Sequence, residues 1–256
     1  LRGSIITPNH FAVPGVAGRY AAGRPYVHHV AGSEILRRCG HVATAVDIGS
    51  GTGLSARALL GGADAVVGID PSVEMLGAAF RHASIRYVAA AAEQLPLASG
   101  SADLVTMGSA FHWCDRQMAF AEIDRVVRRD GGVAIYDIEL AGLVGAPALL
   151  EWLRIEYWTS LPRCSHNGAF DSRLHVRRPF THIVSETLRA DVSMTLDELV
   201  AFILSQASSV NAVTVGHASE ADLESRLREG LARHVSRAGT ATARFDMPFS
   251  LLRKAS

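Results

Sequence analysis

The stretch "VDIGSGTGLSARAL", residues 46–59, constrains this chain more than any other. A short apolar run reaches a carboxylate, Asp47, then glycines at 49, 51 and 53, and passes into a helix-compatible segment without a loop. Glycine takes backbone dihedrals that a Cβ forbids, and it lets a ligand approach the main chain closely. A helix that follows directly offers unpaired N–H groups to a polar or anionic group. The spacing predicts a strand, a tight turn and a helix, with a ligand at the turn.

The rest of the chain repeats that rhythm. Strands are expected at 44–49, 65–70, 85–90, 102–110 and 133–139, and helices at 54–62, 71–83 and 115–132. Pro71 at the start of the second helix and Glu74 in its first turn are both favourable there. The strands are continuous apolar runs rather than alternating ones, which implies a parallel sheet covered on both faces. Residues 1–24 are rich in glycine, proline and small residues and read as a loop or mobile arm. A helix follows Pro25 and stops at Gly40.

Beyond residue 140 the rhythm breaks. A helix at 147–161 carries Trp152 and Trp158, and an Arg- and His-rich loop fills 162–179. A strand at 181–192, helices at 195–208 and 220–238, and a strand at 242–254 complete the chain. Thr195 and Glu198 have the spacing of a capping box. The simplest plan is one domain, 1–256, with an arm and helix (1–40), a ligand-binding core (41–140), a helical insertion (141–178) and closing strands and helices (179–256).

Composition narrows the partners. Hydrophobic residues make up 48% and charged residues 20%, enough for a substantial core. Lys+Arg and Asp+Glu both number 25, so no overall field draws the chain to nucleic acid or to an acidic membrane. Lys254 is the single lysine; the arginine, alanine and glycine bias points to a GC-rich, bacterial source. Cys39, Cys114 and Cys164 lie far apart with no C-x-x-C pair, as free thiols in a reducing compartment would. No run of about 18 apolar residues and no signal-peptide pattern is seen, so a cytoplasmic location is expected.

Ligand choice needs more than glycines. Gly51, Gly53 and Ala56 fit G-x-G-x-x-G/A, and Asp70 sits near the acidic position about 20 residues on, which would suit NAD. Three details favour another ligand. Asp47 would repel a pyrophosphate and welcome a cationic amino group. The turn has an extra glycine in register, giving D-x-G-x-G-x-G. A third element, "AAAEQLPLASGSADLV" at 90–105, follows the next strand where it can reach the far end of the same ligand.

With "VVGIDPSVEML", "SAFHWCD" and "RVVRRDGGVAIYD" added, residues 46–137 resemble the class I S-adenosylmethionine-dependent methyltransferases. Within that class the chain is similar to the small-molecule branch that includes trans-aconitate and many natural-product enzymes. The resemblance implies a Rossmann-like α/β fold: a doubly wound, mostly parallel seven-stranded sheet with helices on both faces and a helical lid insertion. It implies that Asp47 and the backbone of Gly49, Ser50, Gly51 and Gly53 hold the methionine end of the cofactor. Asp70 would take the ribose hydroxyls, Pro71, Ser72 and Met75 would line the adenine, and Ala92 and Glu93 would meet its edge. Ser109 would sit near the methionine moiety, and Tyr20, Arg24 and Tyr26 of the arm would close over the cofactor. The activity implied is methyl transfer to a small-molecule acceptor, with no metal and no nucleic acid. An NAD-dependent oxidoreductase and a non-catalytic S-adenosylmethionine-binding protein stay open as alternatives.

The dense cluster "GSAFHWCD", residues 108–115, divides by role. Contiguous His112, Cys114 and Asp115 make a poor metal site. Asp115 is placed to cap the next helix, and Cys114 is read as a buried spectator. His112 is the candidate general base, because imidazole titrates near neutral pH; His166, His175 and Tyr157 are weaker candidates. Trp113, Trp152, Tyr157, Trp158 and Phe170 are expected to form an aromatic wall around the acceptor.

Overall fold

The structure, a computed structural model, describes residues 15–162, 179–235 and 239–255. It opens with α1 (Val16–Gly23) and α2 (His28–Cys39), then β1 (Val42–Ile48), α3 (Leu54–Arg57), β2 (Ala63–Asp70), α4 (Val73–Gly77) and β3 (Ile85–Ala89). It continues with β4 (Ala102–Gly108), α5 (Arg116–Val126), β5 (Val127–Tyr136), β6 (Glu139–Leu143) and α6 (Ala148–Trp152). After a π-helical turn (Leu153–Tyr157) and a 3₁₀ turn (Trp158–Ser160) come β7 (Phe180–Thr195), α7 (Leu196–Leu204), α8 (Ala207–Thr214), α9 (Glu220–Leu231) and β8 (Thr240–Lys254).

The strands form an eight-stranded sheet in the order β3-β2-β1-β4-β5-β8-β6, with β7 paired to β8. The first five are mutually parallel, and β8 runs antiparallel to β5. This is the expected doubly wound plan with one more strand than the seven anticipated, the short β6. The order reverses between β1 and β4. In open α/β sheets that reversal opens a crevice outside the carboxyl ends of the strands, where ligands bind.

The apolar runs do what their pattern required. Val46, Ile48, Val105, Met107, Val133 and Ile135 of the central strands pack with Ala119, Ile123 and Val126 of α5 in one cluster. Each such Val or Ile contributes about 1.5–3 kcal/mol when fully buried.

Local capping decides where helices begin and end. Asp115 caps α5, accepting from the N–H groups of Gln117 and Met118, both at 3.0 Å. That helix was expected to run to 132. It stops at Val126 because Val127 turns extended and pairs with Ala102. α4 is likewise shorter than 71–83: the N–H of Phe80 donates to Thr52 O at 3.0 Å, which pulls the chain back onto the glycine turn. α7 carries the expected capping box of Thr195 and Glu198, while α8 was not anticipated.

Two compact units emerge. Among the described residues one comprises 26–140, 179–191 and 245–255, and it contains the five parallel strands. The other comprises 15–25, 141–162, 192–235 and 239–244. In this second unit α1 and α9 pack on α7. No described helix is long and apolar enough to cross a membrane.

Candidate functional site

The glycine turn leaves β1 with positive φ at all three glycines, +70° at Gly49, +50° at Gly51 and +79° at Gly53. Two of them also admit no side chain. A Cβ on Gly49 would lie 2.2 Å from the Ala110 Cβ, and one on Gly53 would lie 2.1 Å from the Tyr87 hydroxyl. Tyr87 itself donates to Phe80 O at 2.8 Å. The N–H groups of Gly49 and Ser50 donate to Ile69 O at 2.7 and 3.0 Å. Gly51 N–H donates to the Asp70 carboxylate at 2.9 Å and Gly53 N–H to Ser50 O at 2.7 Å. These are the donors with which a glycine loop cradles a pyrophosphate. Here all four are engaged inside the protein.

Asp47 is fully buried beneath this turn. It accepts from the Ser55 hydroxyl at 2.6 Å and the Thr106 hydroxyl at 2.8 Å, joining β1 to α3 and β4. Burial raises its pKa to about 7, against the hydrogen bonds from Ser55, Thr106 and the Ala56 N–H, with the Asp70 charge pushing the same way as burial. The start of α3, where a phosphate would dock, is thus occupied by the protein's own acid. The structure encloses Asp47 among the elements it joins.

A pH dependence follows from that burial. The folded protein keeps the Asp47 proton up to about pH 7, whereas the unfolded chain loses it near the ordinary 3.8. This group's contribution to stability is therefore full below about pH 4, declines as pH rises, and is gone above about pH 7. Asp47→Asn is expected to remove that decline, as read by urea denaturation at about pH 5 and about pH 8.

Asp70 ends β2. Its two carboxylate oxygens accept from Gly51 N–H and, at 2.8 Å, from Ser72 N–H. Burial raises its pKa against those two backbone bonds. Each oxygen has a further lone pair, so the group can still accept from two ligand hydroxyls. Ser72 caps α4 by accepting from Met75 N–H at 3.2 Å. Met75 is buried with its methyl against Gly51, while Pro71 is exposed.

The 90–97 segment is laced to α5. Ala92 is buried, and Glu93 accepts from Asp115 N–H at 2.7 Å, so one of its oxygens serves the start of α5. Glu122 accepts from Leu95 N–H at 2.7 Å, and Arg125 donates to Leu95 O at 2.9 Å and Leu97 O at 2.6 Å. The Arg125 hydrogen bond, partly opposed by burial, holds Glu122 down to about 2.

At the end of β4, Ser109 has φ +52°, a conformation that costs a non-glycine residue energy and clusters at functional sites. Its N–H donates to Tyr136 O at 2.8 Å. His112 Nδ1 lies 3.3 Å from Asp137 Oδ2, the two side chains 17% and 14% exposed. Asp137 directly follows β5 and accepts from Ile138 N–H at 2.9 Å through its other oxygen. Burial pushes the Asp137 carboxyl up, but the neighbouring His112 ring, the Ser109 side chain and the Ile138 N–H outweigh it and hold it below the ordinary value. Sequence reasoning missed Asp137, although it closes "VAIYD" as Asp70 closes "VVGID". The Trp113 ring lies 5.1 Å from that of His112. The Cys114 thiol is pushed up to about 12, first by burial, so it is no nucleophile at neutral pH.

The structure thus gathers Asp47, Gly49–Gly53, Asp70, Met75, Ser109 and His112 at the carboxyl ends of neighbouring parallel strands. Tyr26 stacks under the Arg57 guanidinium at 4.3 Å in the same unit. Other expected site residues are engaged within the second unit. Arg24 donates to Ser205 O at 3.2 Å, its guanidinium lying over Tyr20 and Phe202. Trp152 packs so closely on Gly230 that a Cβ there would lie 2.1 Å from the indole. Tyr157 is wholly buried with its hydroxyl 3.1 Å from that of Ser209. Trp158 is half-buried. Phe170, His166, His175 and Cys164 lie outside the described residues. Among the described residues no three His, Cys, Asp or Glu side chains gather as a metal would need.

The residues present fit a neutral or cationic ligand with a ribose. Asp70 has carboxylate capacity to spare, and Ser50 and Thr52 of the turn have buried hydroxyl oxygens without a hydrogen-bond partner, which a bound ligand can satisfy. Residues 46–135 match the protein family described as "Methyltransferase domain". A candidate methyltransferase of Dictyostelium discoideum is 25% identical over 166 residues, 62% of each chain. A malonyl-[acyl-carrier protein] O-methyltransferase of Pseudescherichia vulneris is 34% identical over 153 residues, 59% of this chain and 53% of that one. The chain spans about half to three fifths of the length of these curated relatives. A solved structure of a candidate type II methyltransferase from Anaeromyxobacter dehalogenans shares the fold, with a TM-score of 0.69 at 18% identity over 89% of this chain and 95% of that one. Residues 46–135 thus resemble a methyltransferase domain, set in a fold that a solved methyltransferase shares.

Proposed function

We propose that the chain is an enzyme that moves a methyl group from S-adenosylmethionine to a small-molecule acceptor. One observation carries the reading: the glycine turn sits on a buried acid, Asp47, with its N–H groups engaged inside the protein, beside a carboxylate, Asp70, able to accept from ribose hydroxyls. That combination disfavours a dinucleotide pyrophosphate and favours a sulfonium nucleoside. When bound, S-adenosylmethionine supplies an electrophilic methyl group. The glycine turn would hold its methionine end, Asp70 the ribose, Met75 and Ala92 the adenine. The chain's own contribution is then to orient the acceptor and exclude water, effects that supply much of the rate in such displacements.

The small-molecule character of the acceptor is supported by the balanced charge, which offers no footprint for nucleic acid. It is supported too by relatives named for malonyl-[acyl-carrier protein] and for ubiquinone and menaquinone biosynthesis. Assignment to the branch with trans-aconitate and natural-product methyltransferases rests on the motifs between 46 and 137 taken together. The domain plan is a core at 41–140 that holds the donor, with acceptor choice made by residues outside it. Calorimetry with S-adenosylmethionine and with its demethylated product, beside a fluorescence titration with NADH, tests the reading. Binding of the first pair is expected; binding of NADH alone would overturn it.

A further inference from the structure

Three features of one unit meet at the carboxyl ends of β4 and β5. Asp137 is a mostly buried carboxylate 3.3 Å from the His112 ring. Ser109 is held at positive φ at the same end of the sheet. The imidazole keeps part of its surface exposed. The two oxygens of Asp137 are divided: one serves the Ile138 N–H, the other the His112 Nδ1.

We propose that Asp137 is a positioning residue that holds His112 with its proton on Nδ1, so that Nε2 takes the proton of a hydroxyl-bearing acceptor. The inference rests on the methyltransferase reading above and gives the acceptor a chemical class, an alcohol or phenol rather than a carboxylate. A carboxylate has no proton to lose at neutral pH, and a base beside it would be idle. In the step, the acceptor O–H bond breaks, its electron pair stays on oxygen, and the proton forms an N–H bond at Nε2. The imidazolium so formed faces the Asp137 carboxylate. The oxygen pair then bonds the methyl carbon, the carbon–sulfur pair leaves with sulfur, and the imidazolium returns its proton to solvent.

Asp137→Asn is a nearly isosteric test. Because the Ile138 N–H keeps an acceptor oxygen on its side, the new amide turns its NH₂ toward His112 and reverses the tautomer. Nitrogen–proton spectra of the His112 ring at neutral pH are expected to show Nδ1–H in the wild type, Nε2–H in Asp137→Asn, and Nδ1–H restored in Asp137→Glu. An Nε2–H ring in the wild type, or one unmoved by Asp137→Asn, overturns the positioning role. Release of S-adenosylhomocysteine is then measured with a mixture of small alcohols and phenols and with a mixture of small carboxylates. Turnover is expected with the first, reduced about 100-fold in His112→Ala and about tenfold or more in Asp137→Asn, with donor affinity held within a few-fold. Turnover with carboxylates alone, or with neither mixture, overturns the acceptor class. Failure of the wild type to bind S-adenosylmethionine would instead overturn the underlying reading, and the ring spectra would still decide the pair.

Discussion

Gly49→Ala is expected to destabilise the protein by about 3 kcal/mol and to abolish donor binding. Two costs combine. At φ +70° an L residue meets its own carbonyl, which costs about 1–2 kcal/mol. The new methyl would also lie 2.2 Å from the Ala110 Cβ, an overpacking that costs about 1–3 kcal/mol. Ala110 has little room to retreat, because the preceding residue is tied by its N–H to Tyr136 O. Relief must come from the turn itself, which moves the backbone that would hold the methionine end. Gly61→Ala is the control: its φ is +85° but a Cβ there meets nothing within 4 Å. Urea denaturation and calorimetry with S-adenosylmethionine compare the two. Equal stability losses, with donor binding intact in both, would show that the close approach at Gly49 has no consequence.

Asp70→Ala is expected to weaken S-adenosylhomocysteine binding by about 100-fold or more. A hydrogen bond to a charged group is worth about 1.5–3 kcal/mol, and the carboxylate would lose two to the ribose. The same change leaves the N–H groups of Gly51 and Ser72 without their acceptor, so the turn and the start of α4 lose a common anchor. Glu74→Ala, at an exposed position of α4, is expected to leave affinity unchanged. Calorimetry decides: wild-type affinity in Asp70→Ala would remove this residue from the donor site.

The parallel core was legible because its strands are unbroken apolar runs and its turns are punctuated by glycine and proline. Asp115, Thr195 and Glu198 were readable as caps because capping is local, set by side chains within three residues of the backbone they serve. Helix ends were less legible. Nothing local says that α5 must stop at Val126; the partner that draws Val127 into the sheet is Ala102, 25 positions earlier. Asp47 shows the same limit at the site. Its position before the glycines marked it as important, but its hydroxyl partners, Thr106 on β4 and Ser55 on α3, are brought to it only by the fold.

What the sequence determined by itself was the fold class, the glycine turn and the order of the donor-binding elements, since each is written in residues adjacent along the chain. What the tertiary structure decided was which side chains meet. His112 was recognisable as a candidate base, yet its partner Asp137 lies 25 residues away on another strand, joined to it only because β4 and β5 are parallel neighbours and end at the same edge. Tyr157 and Trp152, expected in an aromatic wall, have partners in α8 and α9 that lie more than 50 residues along the chain. Spacing along a chain can name a residue's chemistry; only packing assigns that chemistry a neighbour, because a hydrogen bond or a buried ring is a relation across space.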